Sequence, residues 1–332
     1  MSTETKAHQA QVHHAPLFVR KEDGSKEAFD QKKLYESLIK SGAEPHQADK
    51  IVRDVIAQMR QKMSDAKARA HEYKAEHVAG HIDGHITDPK RHVHEEFLFT
   101  AADIYHEAYT ILKRSSRVVA ARYSLRRSML QFGPTGFPFE AYVAEVFKAK
   151  WGFQAITGQI VLGGCVPHEV DVVAWNKEKL IMAEVKYHSD AASKTDTKVS
   201  LYVRARFDDL AGTTFNYGGI ERKLTEGWLI TNTRFTDTAI IYGNCKGLKM
   251  LSWDYPNKGN LQDLIEDTQL HPITCLTSLS DGEKRVLMDK DIVLARSLYT
   301  KRPVLREMGF SEKRIEGLLD EVDEIMKTIP MG

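Results

Sequence analysis

The sequence predicts an α/β protein with several domains, because three patterns follow one another along its 332 residues. A short hairpin followed by helices comes first, helices and strands alternate in the middle, and only helical patterns remain from about Asn260 onward. Alternation of this kind is typical of an α/β domain with a mixed or parallel sheet. The chain is also longer than one domain of ordinary size, so two or three domains are expected.

The composition excludes several classes of protein. Hydrophobic residues make up 42% and charged residues 28% of the chain, and the net charge is +1. This is enough apolar material for folded cores, and no apolar run of about 18 residues offers a membrane span. The polar N-terminus lacks the apolar stretch of a signal peptide. The three cysteines are Cys165, Cys245 and Cys275, and they lack the spacing of a disulfide framework or a zinc site. We therefore expect buried thiols in a reducing cytoplasm.

The first segment opens with a polar tail over 1–15, which we expect to be flexible. Residues 17–20 have the pattern of a strand, Asp23 and Gly24 form a hairpin turn signal, and a second strand ends at Phe29. Asp30 is the predicted cap of the helix that follows. Further helices are predicted from about Pro45, over 72–86, over 95–112, and continuing or restarting over 118–130.

The middle segment, 133–258, begins where glycines and a proline break the helical pattern. Its predicted helices cover 139–150, 198–210 and 236–242, and its predicted strands cover 155–161, 170–174, 180–185, 228–231 and 248–251. A basic connecting helix over 113–132 precedes this segment. The last segment, 259–332, is predicted to be all-helical and to end in a helix over 311–326.

Charged residues interrupt two apolar strands of the middle segment. Glu184 and Lys186 end one strand, and because side chains alternate, they project from one face while Val185 projects from the other. Asp171 lies among valines in the preceding strand, and Glu140 begins the apolar stripe of the first helix. A buried carboxylate is costly unless a metal or an ion pair satisfies it. We therefore expect three acids and a lysine to meet at one edge of the sheet.

Phosphodiester hydrolysis is the chemistry that uses such a set. Carboxylate oxygens suit Mg²⁺ or Mn²⁺, which activates water and neutralises charge in the transition state, while a lysine orients the water or stabilises the developing charge. Each residue alone also has an ordinary explanation, such as a solvated strand end or a favourable charge at a helix start. The combination, in this order along the chain, favours the catalytic interpretation.

The residues around Glu140, residues 168–173 and residues 183–188 resemble the motif series of the PD-(D/E)xK nuclease superfamily, and within it the Mrr-like restriction endonucleases. The resemblance extends over about 133–255, and Val170 stands where the superfamily motif has proline. It implies a Mg²⁺- or Mn²⁺-dependent DNA endonuclease with an α/β core and a mixed sheet. The implied catalytic residues are Glu140, Asp171, Glu184 and Lys186, and the implied metal ligands are Glu140, Asp171, Glu184 and Val185.

The first segment resembles the ATP-cone domain, a regulatory nucleotide-binding module, over about 16–112. The residues that carry this resemblance are the hairpin with its Lys21 and Gly24 and the helix that starts after Asp30. It implies ATP or dATP as an allosteric ligand, held by Lys21, Glu27 and Lys33. Lysine ammonium groups and the free amides of a helix start both suit phosphates. A basic hairpin followed by an ordinary capped helix is the alternative.

Three further regions are candidates for nucleic-acid contact. The connecting helix and the segment after the catalytic strand are rich in basic residues, although solvated helical faces explain them equally well. Residues 305–309 followed by the last helix resemble a helix-hairpin-helix unit, with a packing module as an equal alternative. The basic residues are Lys113, Arg114, Arg117, Arg122, Arg126 and Arg127 in the first region, and Lys194, Lys198, Arg204 and Arg206 in the second.

The leading hypothesis is thus a cytoplasmic, metal-dependent DNA endonuclease regulated by ATP or dATP. One alternative is a nucleotide-sensing DNA-binding regulator with an inactive nuclease-like domain. Another is a nuclease that acts on RNA or branched DNA, since metal and carboxylates act on the phosphodiester that these substrates share. The sequence leaves open whether the chain forms a homo-oligomer.

Overall fold

The computed structural model describes residues 17–21, 24–79 and 98–327, and the chain divides into two compact units, one ending at Ser116 and the other starting at Arg117. The predicted tail over 1–15 and the end of the predicted helix over 72–86 lie outside the described residues. The architecture is a mixed α/β one with several sheets, as the sequence predicts. Among the described helices, none combines the length and the apolar character that a membrane span requires.

The described residues of the first unit form a three-stranded sheet and three helices. Strand β1 (Phe18–Arg20) pairs antiparallel with β2 (Lys26–Ala28) and parallel with β3 (Phe99–Thr100). The hairpin is confirmed, but residues 99–100 are a strand where the sequence predicts helix. The helices are α1 (Gln31–Lys40), α2 (Pro45–Ala79) and α3 (Ala101–Ser115).

Two local features explain these helices. Asp30 caps α1, because its Oδ1 accepts the amides of Lys32 at 3.0 Å and Lys33 at 3.2 Å. The predicted break before residue 72 is wrong, since α2 runs through it without a glycine or proline to stop it.

The second unit begins with three helices, α4 (Arg117–Tyr123), α5 (Leu125–Ser128) and α6 (Phe137–Trp151). A mixed five-stranded sheet follows, whose strands are β4 (Gln154–Leu162), β5 (Pro167–Trp175), β6 (Leu180–Lys186), β10 (Glu226–Thr231) and β12 (Lys249–Leu251). Their order across the sheet is β12-β10-β6-β5-β4. Strands β4, β5 and β6 pair antiparallel, whereas β10 pairs parallel with both β6 and β12.

Helices and short strands connect and cover this sheet. Helix α7 (Thr197–Leu210) follows β6, and α8 (Asp237–Cys245) lies between β10 and β12 in the chain. A hairpin that the sequence analysis missed, β8 (Thr214–Tyr217) with β9 (Ile220–Lys223), follows α7. The remaining pair, β7 (Lys194–Thr195) and β11 (Arg234–Phe235), is parallel.

The C-terminal helices share a hydrophobic core with the central sheet. They are α9 (Leu261–Thr268), α10 (Asp281–Met288), α11 (Arg302–Glu307) and α12 (Glu312–Met326), with short 3-10 helices over Ile273–Cys275 and Ala295–Tyr299. One cluster of buried side chains joins these helices to α6 and to one face of β5 and β6. A second cluster, on the other face, packs α7 and α8 against the sheet. The predicted boundary near residue 258 therefore falls inside a shared core.

The cysteines differ from the prediction of buried thiols. All three are unpaired, and only Cys275 is buried, while Cys165 and Cys245 are exposed. Cys165 lies in the turn between β4 and β5, and Cys245 ends α8, where backbone turns at the surface leave the side chains accessible.

Candidate catalytic site on the central sheet

Two of the predicted acids, Asp171 and Glu184, lie where β5 and β6 separate. The ladder between these strands ends at the pair Val172 and Ala183. Just beyond it, Asp171 Oδ2 accepts a hydrogen bond of 2.7 Å from the amide of Val185, so a side chain continues the pairing where the backbones part. Asp171 and Glu184 therefore lie on neighbouring strands.

Glu184 is almost fully buried, at 3% exposure, and both of its carboxylate oxygens have partners. Lys186 Nζ lies 2.6 Å from Oε1, which confirms that these two side chains share a face. The Tyr202 hydroxyl also donates to Oε1, and the Arg206 guanidinium donates to Oε2. Arg206 makes a second hydrogen bond, of 2.8 Å, to the carbonyl of Glu169.

Tyr202 and Arg206 are site residues that the sequence analysis did not assign. They lie one turn apart on α7, so both reach Glu184 from the same helix face. The sequence indicates Arg206 only as a candidate phosphate contact, and Tyr202 is not among the predicted site residues. Their spacing of four residues was visible, but the packing of α7 over β6 was not.

The remaining acids influence one another through their charges. Burial raises the pKa of Glu140 to about 7, and the nearby charges of Asp171, Glu169 and Glu184 add to this effect. Burial also raises the pKa of Asp171 to about 6, with a further contribution from Glu184. Both carboxyl groups are therefore harder to ionise than usual, and a bound cation would favour their charged forms.

Lys186 has opposing influences. Burial lowers the pKa of its ammonium group, but the hydrogen bond and charge of Glu184, with smaller contributions from Tyr202 and Asp171, raise it above its usual value. Lys186 is thus a positive charge at neutral pH in this arrangement. It suits the stabilisation of a developing negative charge better than the abstraction of a proton.

Carboxylate oxygens suit a hard divalent cation, but these side chains are not arranged to bind one together. In the part of the chain that the structure describes, no group of three or more His, Cys, Asp or Glu side chains is arranged to hold a metal ion. Glu184 is directed to Lys186 and α7 instead. Val185 could contribute only its backbone carbonyl, because its side chain is buried in the core.

The histidines near this site have structural partners. His168 Nε2 lies 2.7 Å from Asp209 Oδ2, and the amide of Cys165 donates to Asp209 Oδ1 at 2.8 Å, so α7 fixes the turn between β4 and β5. Hydrogen bonds from the His168 and Cys165 side chains lower the pKa of Asp209 to about 2. The amide of His188 donates to Asn232 Oδ1 at 2.8 Å.

The predicted nucleotide-binding residues lie on the hairpin and the start of α1. Lys21 Nζ and Glu27 Oε2 are 2.6 Å apart, and Lys33 Nζ lies 3.9 Å from Asp30. All are substantially exposed. Two amides of the α1 start, those of Lys32 and Lys33, donate to Asp30, which is the predicted cap.

Several basic residues predicted to contact nucleic acid have roles within the protein. Arg122 donates to the carbonyls of Ile325, at 3.4 Å, and Lys327, and so holds the end of α12. Arg204 donates to Asp208 and to the carbonyl of Lys246. With Arg206 on Glu184, these three guanidinium groups are engaged in the second unit.

The fold and the site define an α/β protein whose mixed sheet carries a partly buried cluster of carboxylates and cations. Two family matches accompany them: residues 17–71 match the ATP cone domain, and residues 271–326 match the family described as AF1548-like, C-terminal. The first match confirms the predicted ATP-cone resemblance over that range and supports nucleotide binding.

The chain belongs to the AF1548-like family. It is 33% identical over 181 residues to an uncharacterized protein of Archaeoglobus fulgidus, an alignment that covers 53% of this chain and 95% of that protein. The crystal structure of AF1548, a protein of unknown function, is 31% identical, with 57% of this chain and 97% of that chain covered and a TM-score of 0.47.

A weaker similarity is to the restriction endonuclease MspJI in complex with a 27-mer oligonucleotide. The identity is 13%, 52% of this chain and 36% of that chain are covered, and the TM-score is 0.32.

Proposed function

We propose that this chain is a Mg²⁺- or Mn²⁺-dependent endonuclease of the Mrr-like PD-(D/E)xK class that hydrolyses phosphodiester bonds in DNA. The observation that supports the proposal is the position of Asp171, Glu184 and Lys186 where β5 and β6 separate. Glu140 is close enough that the charges of Asp171 and Glu184 contribute to raising the pKa of Glu140. A reducing cytoplasm is the compartment we propose, since all three cysteines are unpaired.

The residues divide the chemistry between them. Glu140, Asp171 and Glu184, with the carbonyl of Val185, would hold the cation. Mg²⁺ or Mn²⁺ there would lower the pKa of a bound water and offset charge on the phosphate. Lys186, whose pKa lies above its usual value, would stabilise the negative charge that develops on the phosphoryl oxygens.

The test is a cleavage assay on supercoiled, linear and single-stranded DNA and on RNA, with Mg²⁺ or Mn²⁺. We expect Asp171→Asn and Lys186→Met to lower the rate of DNA cleavage by about 100-fold or more, the usual loss when a transition-state contact is removed. Lys177→Met, on an exposed loop beside the same sheet, is the matched control. If Lys186→Met cleaves DNA at the rate of the parent protein, the proposed active site is wrong.

One observation favours a second function, a nucleotide-sensing DNA-binding regulator with an inactive nuclease-like domain. Both oxygens of Glu184 are engaged by Lys186, Tyr202 and Arg206, as expected of an ion-pair network rather than a metal site. This function predicts that the protein retains DNA in a gel-shift assay but cleaves no substrate with either metal.

The ATP-cone match supports ATP or dATP as the regulatory ligand, with Lys21, Glu27 and Lys33 as its proposed contacts. The sequence has no Walker A motif, so we propose that the nucleotide alters cleavage or oligomeric state without being hydrolysed. Phosphate release measured during cleavage, with and without ATP and dATP, tests this. Release in proportion to the bonds cleaved would contradict it.

A further inference from the structure

Two side chains of α7 occupy the carboxylate that the proposed metal site needs. Arg206 donates to Glu184 Oε2 and Tyr202 donates to Glu184 Oε1, and we refer to these two residues as the α7 pair. The guanidinium also lies over the Tyr202 ring, 4.9 Å from its centroid, so the two side chains support each other. Neither residue belongs to the proposed catalytic set.

On the basis of the proposed function, we infer that the α7 pair competes with the divalent cation for Glu184, so that metal binding requires Arg206 to leave this carboxylate. The pair thereby sets the metal affinity of the site. Glu184 exchanges between two states: bound to α7 without metal, and directed to the metal with Asp171 and Glu140 when the metal is present.

The first reason is geometric. A carboxylate oxygen binds Mg²⁺ at about 2.1 Å, and a metal this close to an oxygen that already accepts from a guanidinium lies beside that positive charge. Arg206 is the donor on Oε2, while Tyr202 and Lys186 share Oε1. Oε2 has one of these donors and Oε1 has two, so Oε2 is the oxygen more open to a metal, and Arg206 is the cation that the metal meets there.

The second reason is electrostatic. Glu184 already has two cationic partners, Lys186 and Arg206, and a divalent cation on the same carboxylate would lie close to both. A guanidinium stays charged at every relevant pH. Arg206 therefore repels an incoming divalent cation as long as it remains on Glu184, and removing its charge favours the metal.

Arg206 is also held from a second side. Its hydrogen bond of 2.8 Å to the Glu169 carbonyl attaches the guanidinium to β5, beside the acids. Release from Glu184 therefore breaks one of its two hydrogen bonds, and the arginine has a position to return to when the metal leaves. This makes an exchange reversible without any movement of α7.

The experiment measures Mn²⁺ affinity of the full chain without DNA, by isothermal titration calorimetry and by the electron paramagnetic resonance signal of free Mn²⁺. Arg206→Gln should bind Mn²⁺ about tenfold more tightly than the parent protein, since a hydrogen bond to a charged group no longer has to be broken. Tyr202→Phe should change the affinity in the same direction, by about threefold. Glu184→Gln should weaken binding.

Arg204→Gln is the matched control, because Arg204 lies two residues earlier on α7 and pairs with Asp208 and the Lys246 carbonyl instead. Its Mn²⁺ affinity should equal that of the parent protein. Circular dichroism checks that each variant is folded. If Arg206→Gln is folded and binds Mn²⁺ no more tightly than the parent, or shows no binding, competition is ruled out. If Arg206→Gln does not fold, the same outcome for Tyr202→Phe overturns the inference.

The result also separates this inference from the proposed nuclease. If Arg206→Gln binds Mn²⁺ more tightly but the parent protein cleaves neither DNA nor RNA, the competition is supported and the proposed nuclease function is contradicted. Metal-dependent cleavage by the parent protein, with unchanged Mn²⁺ affinity in Arg206→Gln, supports the nuclease and removes the competition.

Discussion

Buried ionisable side chains of the second unit differ in how they are satisfied. Glu321 is 2% exposed and accepts from the Thr277 amide, the Thr277 hydroxyl and the Ser278 amide, which is enough to hold a buried carboxylate. His271 is 4% exposed, and its Nδ1 has no hydrogen-bond partner among the described residues. A buried imidazole in this position resists protonation.

This property predicts how stability depends on pH. Burial, with a smaller contribution from the charge of Arg122, lowers the pKa of His271 from 6.5 to about 4. Above about pH 6.5 the imidazole is neutral in both states, but between pH 6.5 and about 4 only the unfolded chain binds the proton. The free energy of unfolding should therefore fall by roughly 3 kcal/mol over this interval because of His271 alone.

His271→Gln removes this contribution, so its free energy of unfolding should fall less between pH 7.5 and pH 5 than that of the parent protein. Urea unfolding followed by tryptophan fluorescence measures it, since all four tryptophans lie in the second unit. His46→Gln, at an exposed position on α2, should leave this transition unchanged at both pH values. An equal pH dependence in His271→Gln and the parent protein would contradict the assignment.

At the scale of elements, the close approach of α7 to β10 depends on a glycine. A Cβ added at Gly227 would lie 2.3 Å from the ring of Phe207, which is itself buried at 3% exposure. This contact supports the helix that carries Tyr202 and Arg206.

Gly227→Ala should therefore destabilise the second unit by about 1–3 kcal/mol, the usual cost of overpacking a core. Thermal unfolding followed by tryptophan fluorescence measures the change. Gly212→Ala is the matched control, because nothing lies within 4 Å of an added Cβ there, and it should change stability by no more than about 0.5 kcal/mol. Equal stability of the two variants would show that α7 can move away from β10 without cost.

The sequence predicts the elements of the central sheet well and their contacts less well. The predicted strand over 180–185 appears as Leu180–Lys186, because an apolar run bounded by polar residues leaves few alternatives. The β8–β9 hairpin was missed although Gly218 and Gly219 form its turn with positive φ, since β8 alternates over only four residues and β9 has a single apolar residue, Ile220.

The sequence likewise predicts only some of the contacts in the candidate site. Strand alternation was sufficient to place Glu184 and Lys186 on one face, and the order of strands brought Asp171 beside them. The partners from α7 depend on how a helix 14 residues long lies across the sheet, which local patterns do not contain. Arg206 is therefore recognised from the sequence as a basic residue, but its contact with Glu184 is not.

At the scale of the whole molecule, the second unit is built around cores that run through all of its length. One cluster contains side chains from Ala121 to Ile325, so the central sheet and the C-terminal helices cover each other's apolar surface. The two family matches, over 17–71 and 271–326, fall in different units.

We therefore expect a fragment of residues 117–332 to fold on its own, whereas a fragment of residues 117–258 should expose core residues and bind a hydrophobic dye. Removal of the C-terminal helices uncovers one face of the sheet, and apolar surface of this extent drives association. Near-ultraviolet circular dichroism and dye fluorescence of both fragments measure this. A cooperative unfolding transition for 117–258 would show that this fragment folds without the C-terminal helices, in agreement with the predicted boundary near residue 258.

The hydrogen bond from the Val185 amide to Asp171 also affects how mutants of this site are interpreted. The carboxylate acts as the last rung of the β5–β6 ladder as well as a charge. Truncation to alanine removes both properties at once, and fraying of the strand would then move Glu184 and Lys186 even if no metal were involved. Asparagine keeps an acceptor for the same amide and changes only the charge, and hydrogen exchange at the Val185 amide distinguishes the two effects.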